Sequence, residues 1–469
     1  MIAWLTLALV LPAATGYLLC SAFWRRSRGL ADWLVKLFVG FGVGVGLSSC
    51  TLFLGLLTGR RSRTDLLLYE LLIFGAAVFL AMRSVHSERK TRDMQTAVSG
   101  GPIAYILAIP LLLAIRIAVR YSVRYATAHP HGDWDSWGIW TMRARFLFRS
   151  GAEWRNAFSP ILMFSHPDYP ILLPATIDRL WTYMQREVAA IPMMLGLFFM
   201  LCTVGLAMSG MAVLRSTSQA FLLGGVLVST PFFLRHAVSG YAEPPLTFFM
   251  LATTVLLLMS DYEPRMFVLA GLTAALAAWT KNEGLLFLVC VCASLTLLLF
   301  VGRGWSDCLR AIFIFLAGAL PVVVVIILFK SQIHAGNWLL APGPAGVSIR
   351  TRLADMSRYS TISNYYLQEI LRFGKWRIPM VPVLAIYSLL VGPIRGLRQK
   401  PGLLIVMVAL ALTFIGDFFV YVITPLDLQA QLVSSLNRIL LQLWPAAVAV
   451  LFCLIRTPEE ALAAPFAAR

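Results

Sequence analysis

About thirteen apolar stretches, most of them roughly 18 to 23 residues long, follow one another along this chain, and nothing else limits its fold as much. A stretch of that length crosses the hydrocarbon core of a bilayer as a helix, with each backbone polar group bonded inside its own segment. They run over approximately 2–23, 33–57, 65–82, 102–119, 190–214, 219–234, 244–260, 266–280, 284–301, 309–329, 378–393, 402–423 and 438–455. Of the 469 residues 59% are hydrophobic and 13% charged, with mean hydropathy +0.79. That charged share is about half of what a soluble domain carries. The expected fold class is an all-α polytopic membrane protein.

The spans sort the basic residues into two sets of loops. One set holds Arg25, Arg26, Arg28, Arg83, Arg89, Lys90, Arg92, Arg215, Arg265, Arg303, Arg310, Arg395, Arg398, Lys400 and Arg456. The short loops of the other set hold Arg60, Arg61, Arg63, Arg235 and Lys281. The richer set is expected in the cytoplasm. Two long loops, about 120–189 and 330–377, then lie on the far side, with every histidine except His86. The net charge of +17 belongs to this asymmetry and to anionic lipid. No basic run interleaved with aromatics sits on a soluble domain, which argues against nucleic acid as a partner. The first span has no basic residues before it, and Arg25, Arg26 and Arg28 follow it, the order of a retained span rather than a secretion signal. Leu19 before Cys20 argues against a lipoprotein site. Six of the seven cysteines fall in predicted spans, where a thiol serves as a small hydrophobe, and Cys308 lies at a loop edge. Cys290 and Cys292 would point to different helix faces, so no zinc site is expected there.

Polar groups concentrate in the first long loop. His129 to Phe148 places Asp133 and Asp135 among Trp134, Trp137 and Trp140, and Ser165 to Pro174 adds His166, Asp168 and Tyr169. A helix over about 134–149 would be amphipathic and lie in the membrane interface, with Trp and Arg at headgroup level. Pro160, Pro167, Pro170 and Pro174 would break the following chain into extended and turn pieces. Asp135, between two tryptophans, suits a general base toward an alcohol. Asp133 is its rival, and either could instead cap the helix that starts at Ser136. Asp168, in the proline-bracketed run His166 to Pro170, would position an acceptor or simply close a turn. His129, His131, Asp133 and His166 are metal-ligand types, but their spacing matches no strong metal signature.

Three further segments belong to the same face. Glu243 opens a span, where a carboxylate also complements the helix dipole. Lys281 and Glu283 occupy a tight charged turn; they could pair with each other, or Lys281 could stabilise a leaving phosphate. Arg438 and Gln442 lie one helical turn apart near the outer end of the last span. Arg438 would anchor at the interface or clamp a phosphate. The second long loop carries a turn region, Ala341 to Gly346, and then one or two short surface helices.

Taken in order, WDSWGIWTMRARFLF, HPDYPILLP, SGYAEPPLTFF, TKNEGLLF and LNRILLQLWP resemble segments of bacterial integral-membrane glycosyltransferases of the GT-C class. The nearest likeness is to the protein-mannosyltransferase, aminoarabinose-transferase and lipopolysaccharide galacturonosyltransferase-like group. It covers residues 102–456, leaving 1–101 as an N-terminal three-span segment and 457–469 as a cytoplasmic tail. The resemblance implies a GT-C-like bundle in the bacterial inner membrane with its site toward the periplasm. It implies a polyprenyl-phosphate-linked sugar as donor, a glycolipid, polysaccharide or protein as acceptor, and inverting transfer. Asp135 matches the family's outer-loop aspartate best, with Asp133 and Asp168 beside it. His166, Tyr169, Glu243, Lys281, Glu283, Arg438 and Gln442 would bind substrate. Glu243 stands where relatives often have aspartate. Family members differ over metal, which leaves a divalent cation open. The rival reading is a transporter or flippase of a lipid-linked or anionic solute, whose broken helices Gly42, Gly44, Gly46, Pro231 and Pro321 would suit. A third is an assembly subunit without catalysis.

Overall fold

Hydropathy and helix agree closely along the chain. The computed structural model describes residues 2–24, 29–85, 101–261, 263–300, 305–333, 339, 347–394 and 400–467. Its first nine helices are α1 Ile2–Phe23, α2 Leu30–Thr58, α3 Arg63–Val85, α4 Pro102–Ala128, α5 Thr141–Arg149, α6 Leu172–Met184, α7 Ile191–Leu214, α8 Thr217–Ser229 and α9 Pro231–Ala237. Then come α10 Glu243–Met259, α11 Met266–Thr280, α12 Asn282–Phe300, α13 Trp305–Ile333, α14 Ile349–Ala354, α15 Met356–Leu371, α16 Met380–Val391, α17 Pro401–Ile423, α18 Leu428–Leu454 and α19 Pro458–Ala467. Among the described residues 8 helices are long and apolar enough to cross a membrane, or up to 10 if the bent pairs α8–α9 (71°) and α15–α16 (87°) each count as one span. The remaining predicted spans form α10, α11 and α12, which are shorter apolar helices. Arg25, Arg26, Arg28, His86, Arg89, Lys90, Arg92, Arg303, His334, Ala341 to Gly346, Arg395 and Arg398 lie outside the described residues.

The short helices stand in the middle of the bundle. α11 packs against α10, α12 and α13, and α10 in turn against α7 and α18. Helices of 17 and 15 residues rise about 26 and 23 Å at 1.5 Å per residue, several ångströms short of a hydrocarbon core of about 30 Å. Longer neighbours overhang them and leave room for a recess at one end. Glycine rather than apolar bulk sets the closest packing. A Cβ at Gly44 would meet the Pro12 carbonyl at 1.8 Å, and one at Gly284 the Ala277 carbonyl at 1.9 Å. Gly42 and Gly46 likewise seat Phe248 and Leu276. These glycines bring helices together, as small residues do in membranes, and α2 runs through them unbroken. Pro321 also lies inside a continuous helix, whereas Pro231 starts α9 at the bend.

The first long loop departs from expectation. α4 continues past 119 to Ala128, because no Gly or Pro interrupts 120–128, and it stops before Pro130. A π-helical turn, Ser136–Trp140, then leads into α5. The helix expected over 134–149 is present, but it is not simply interfacial. Trp134 and Trp137 are exposed, while Trp140 and Arg143 are fully buried. Arg143 donates to the carbonyls of Ser165 and His166, which pins the proline-bracketed run onto α5. The segment before that run holds 3-10 helical turns over Gly151–Phe158 and Pro160–Ser165, and α6, expected as irregular loop, is helical and buried throughout. The reason is a buried tie between α3 and α6: Arg179 Nη2 donates to Glu70 Oε2 at 2.8 Å, and the Tyr183 hydroxyl to the same oxygen at 3.0 Å. The second long loop forms α14 and α15 as expected. Arg358 of α15 donates to the Tyr421, Val422 and Thr424 carbonyls, closing the C-terminus of α17.

Contacts sort the loops onto two ends, as alternating spans require. Arg61 bonds the Leu147 carbonyl, Arg235 pairs with Asp133 at 2.8 Å, and Lys281 lies 5.5 Å from the Tyr169 ring centre, so three short turns gather against the first long loop. Arg215 with Glu460 (2.9 Å) and Asp261 with the Gly402 amide (3.0 Å) gather at the other end.

Candidate functional site

A cavity of about 760 Å³ opens at the first of these ends, where α10 begins and α11 passes into α12. It is built from distant parts of the chain: the start of the π-helical turn, the run after Ser165, the α11–α12 turn, and α17 and α18. Local structure aims each group. The turn at Asp133 comes from Gly132 (φ 72) and from the Asp133 amide, which donates to the Ser239 carbonyl at 2.9 Å. Gly240 (φ 75) shapes the facing turn, where a Cβ would strike the Ser136 hydroxyl at 2.3 Å. The two turns interlock, and Asp135 and Glu243 thereby reach the same space.

The charges form a chain across that space. The Arg438 guanidinium pairs with Asp135 and lies 3.7 Å from Glu243. Glu243, 1% exposed, accepts from Lys281 at 3.2 Å, and Lys281 also pairs with Glu283 at 2.7 Å. A second strand of contacts runs beside it. Asn282 donates to Asp168 at 2.6 Å, and Lys330 reaches both the Asp168 carbonyl and the Asn282 side-chain oxygen. Tyr169 lies under Lys281 and is stacked on by Trp140 and His166, with ring centres 5.9 and 4.8 Å away. Burial pushes the Tyr169 phenol far above its ordinary range, and it draws the His166 imidazole down to about 4, so both stay neutral near pH 7.

Several buried atoms here lack a partner among the described residues: Asp168 Oδ1, Glu243 Oε2, Glu283 Oε2, Arg438 Nε and Gln442 Nε2. Buried polar atoms are ordinarily paired. Three acceptors and two donors aimed at one cavity are groups that its contents would complete. Comparison of the chain with protein-family models, with curated proteins and with solved structures gives no match. The geometry therefore carries the reading alone.

Asp135, Asp168, His166, Tyr169, Glu243, Lys281, Glu283, Arg438 and Gln442 all line the cavity. Asp133 does not. Its carboxylate is held by the Tyr125 hydroxyl at 2.7 Å and by Arg235, on the other side of the Ser239 contact. Asp133 and Asp135 diverge because the chain is already turning into helix between them. Neither side chain caps that helix; the Ser136 amide bonds the Asp133 backbone carbonyl instead. His129 stacks on Tyr125 and takes no part in a ligand set with Asp133. Among the described residues no three His, Cys, Asp or Glu side chains are grouped to hold a metal ion. The structure adds Asn282, Lys330, Asp417 and Tyr421 to the lining. Asp417 is 3% exposed in the middle of α17. An acid inside a predicted span is itself a signal of function, and the 402–423 stretch carried it.

Proposed function

We propose that the chain is a membrane glycosyltransferase, moving a sugar from a polyprenyl-phosphate-linked donor to a cell-envelope acceptor with inversion. The observation that carries this is the meeting of Arg438 and Lys281, from the last long helix and from the α11–α12 turn, on one buried carboxylate, Glu243, beside Asp135. A phosphate entering the cavity would find a guanidinium and an ammonium together, and would compete with Asp135 for Arg438. That exchange would release the Asp135 carboxylate at the moment the donor is bound. Asp135 would then take the proton of the acceptor hydroxyl, while the acceptor oxygen attacks the anomeric carbon opposite the phosphate. The anomeric bond to phosphate oxygen breaks, and polyprenyl phosphate leaves with its charge held by Arg438 and Lys281. Leu285 and Val289, one turn apart on α12, line the same cavity and are 39% and 57% exposed, which suits a prenyl chain entering from the bilayer.

Glycolipid, polysaccharide and protein acceptors all fit this scheme, and the setting it supports is the bacterial inner membrane with the cavity toward the periplasm. The bent pairs α8–α9 and α15–α16 favour a second reading, passage of a lipid-linked or anionic solute. One experiment separates them. The full chain is reconstituted with polyprenyl-phosphate sugars and envelope acceptors, and D135N is compared with the natural protein. Transfer falls about 10²- to 10⁴-fold in D135N while donor binding persists. Undiminished transfer in D135N removes Asp135 as base, and solute passage without transfer favours the second reading.

A further inference from the structure

A second recess, of about 510 Å³, lies apart from the cavity, between the start of α1, the α2–α3 turn, α5 and the end of α6. Arg61, Arg63, Ser62, Thr64 and Gln185 line it with the Trp4 ring, and no carboxylate does. Both guanidinium groups are oriented by the protein. Arg61 donates to the Leu147 carbonyl, and Arg63 lies 4.6 Å over the Trp4 ring with its Nε buried and without a partner among the described residues. Neither arginine has an ion pair among the described residues. The acid nearest in sequence, Asp65, is committed to the Ser62 amide and hydroxyl at 3.1 and 2.6 Å. Asp178 is buried behind the wall, bonded to Thr182 at 3.2 Å. Two oriented guanidinium groups, the Thr64 hydroxyl and an amide side chain, with no carboxylate in the lining and Asp178 acting on Arg61 only from behind the wall, are donors suited to a set of phosphate oxygens. Along the helices that lead away from the recess, Leu9 of α1 and Leu68 and Leu72 of α3 are 51%, 55% and 64% exposed, an apolar track beside a headgroup.

We propose that this recess binds a phosphate group, supplied by an anionic lipid of the same leaflet that the cavity opens toward, or by free phosphate. It is independent of the glycosyltransferase reading. The test is native mass spectrometry of the full chain in detergent, titrated with phosphatidylglycerol, phosphatidylcholine and inorganic phosphate. The natural protein retains phosphatidylglycerol over phosphatidylcholine, and R63Q weakens that retention about ten-fold. R63K keeps the charge and recovers part of it, and serves as the readout should R63Q not fold. R124Q, which removes an exposed charge on α4, leaves retention unchanged. Millimolar phosphate that binds alone and displaces the lipid in an Arg63-dependent way assigns the site to the free anion. Equal losses in R63Q and R124Q, or no preference for phosphatidylglycerol together with no phosphate binding, overturn the proposal.

Discussion

Lys281 is an ammonium 5% exposed between two carboxylates, and its position makes it the residue whose loss the site tolerates least. Buried charges are costly unless paired, and breaking a buried pair from one side costs about 3–5 kcal/mol. K281Q should lower thermal stability in detergent by that order, because Glu243 and Glu283 then face each other with only Arg438 nearby. Adding E243Q removes one of the stranded carboxylates, so the double variant should be more stable than K281Q alone; a further loss would show that the pair is not coupled. Asp178, in α6 of the first long loop, offers a pH test. Burial pushes its carboxyl up to about 7, against the pull of Arg61 and Thr182. The unfolded chain keeps this proton only below about pH 4, whereas the folded chain keeps it to about 7. The stability contributed by the protonated acid is therefore complete below about pH 4 and is lost as pH rises toward 7. D178N cannot ionise, so its melting temperature should gain on that of the natural protein between pH 5 and 7.5. Parallel curves would place Asp178 in a wetter site.

Among the elements, α10, α11 and α12 decide where the site can be, and their close packing rests on Gly284. G284A would drive a methyl against the Ala277 carbonyl at 1.9 Å, backbone that has no rotamer by which to yield. It should destabilise by about 2 kcal/mol or more and disturb Lys281 three residues earlier, and on the proposed function it should lower donor binding as well. G75A is the control: nothing lies within 4 Å of a Cβ there, and a helical Gly to Ala change stabilises by up to about 1 kcal/mol. These elements also show what the sequence could and could not reveal. Apolar runs located nearly every helix, since hydropathy is a property of the run itself. The polar run before and after Trp140 located the cavity, since ionisable groups beside spans need a partner or a purpose. α6 was hidden because its sequence, with Pro174 near its start and Asp178 and Arg179 inside it, reads as loop until Glu70 supplies the distant partner. Asn282 and Lys330 were hidden for a related reason: their roles depend on meeting Asp168, 114 and 162 residues away along the chain. The split between Asp133 and Asp135 turned on Arg235 and Arg438, and no local pattern announces which arginine takes which acid.

At the scale of the whole molecule, the decisive property is that the cavity, the arginine recess and both long loops share one end. The pairing of turns with loops fixes which segments lie together, and the basic residues are the ground for the proposed side. Arg215, Arg265, Arg310, Lys400 and Arg456 belong to the end opposite the cavity, and we propose from the retention of positive charge on the cytoplasmic side that the cavity faces outward. Three single cysteines test this. Ile161 and Met356, in the first and second long loops, are 89% and 73% exposed, and Leu462, in α19 at the other end, is 63% exposed. Six of the seven native cysteines are buried and the seventh, Cys292, lies half-buried within α12, so they should contribute little background. I161C and M356C should react with a membrane-impermeant maleimide in intact cells, or in spheroplasts where an outer membrane blocks access, and L462C only after the inner membrane is opened. The chemistry follows the side. On the proposed function, transfer at an outward cavity, away from nucleotide sugars, would require a lipid-borne donor, the ligand that Arg438, Lys281 and the exposed α12 face would receive. The reverse labelling pattern would place the same charges beside the cytosolic pool of sugar nucleotides, and the polyprenyl donor would lose its physical justification even with every contact in the cavity intact.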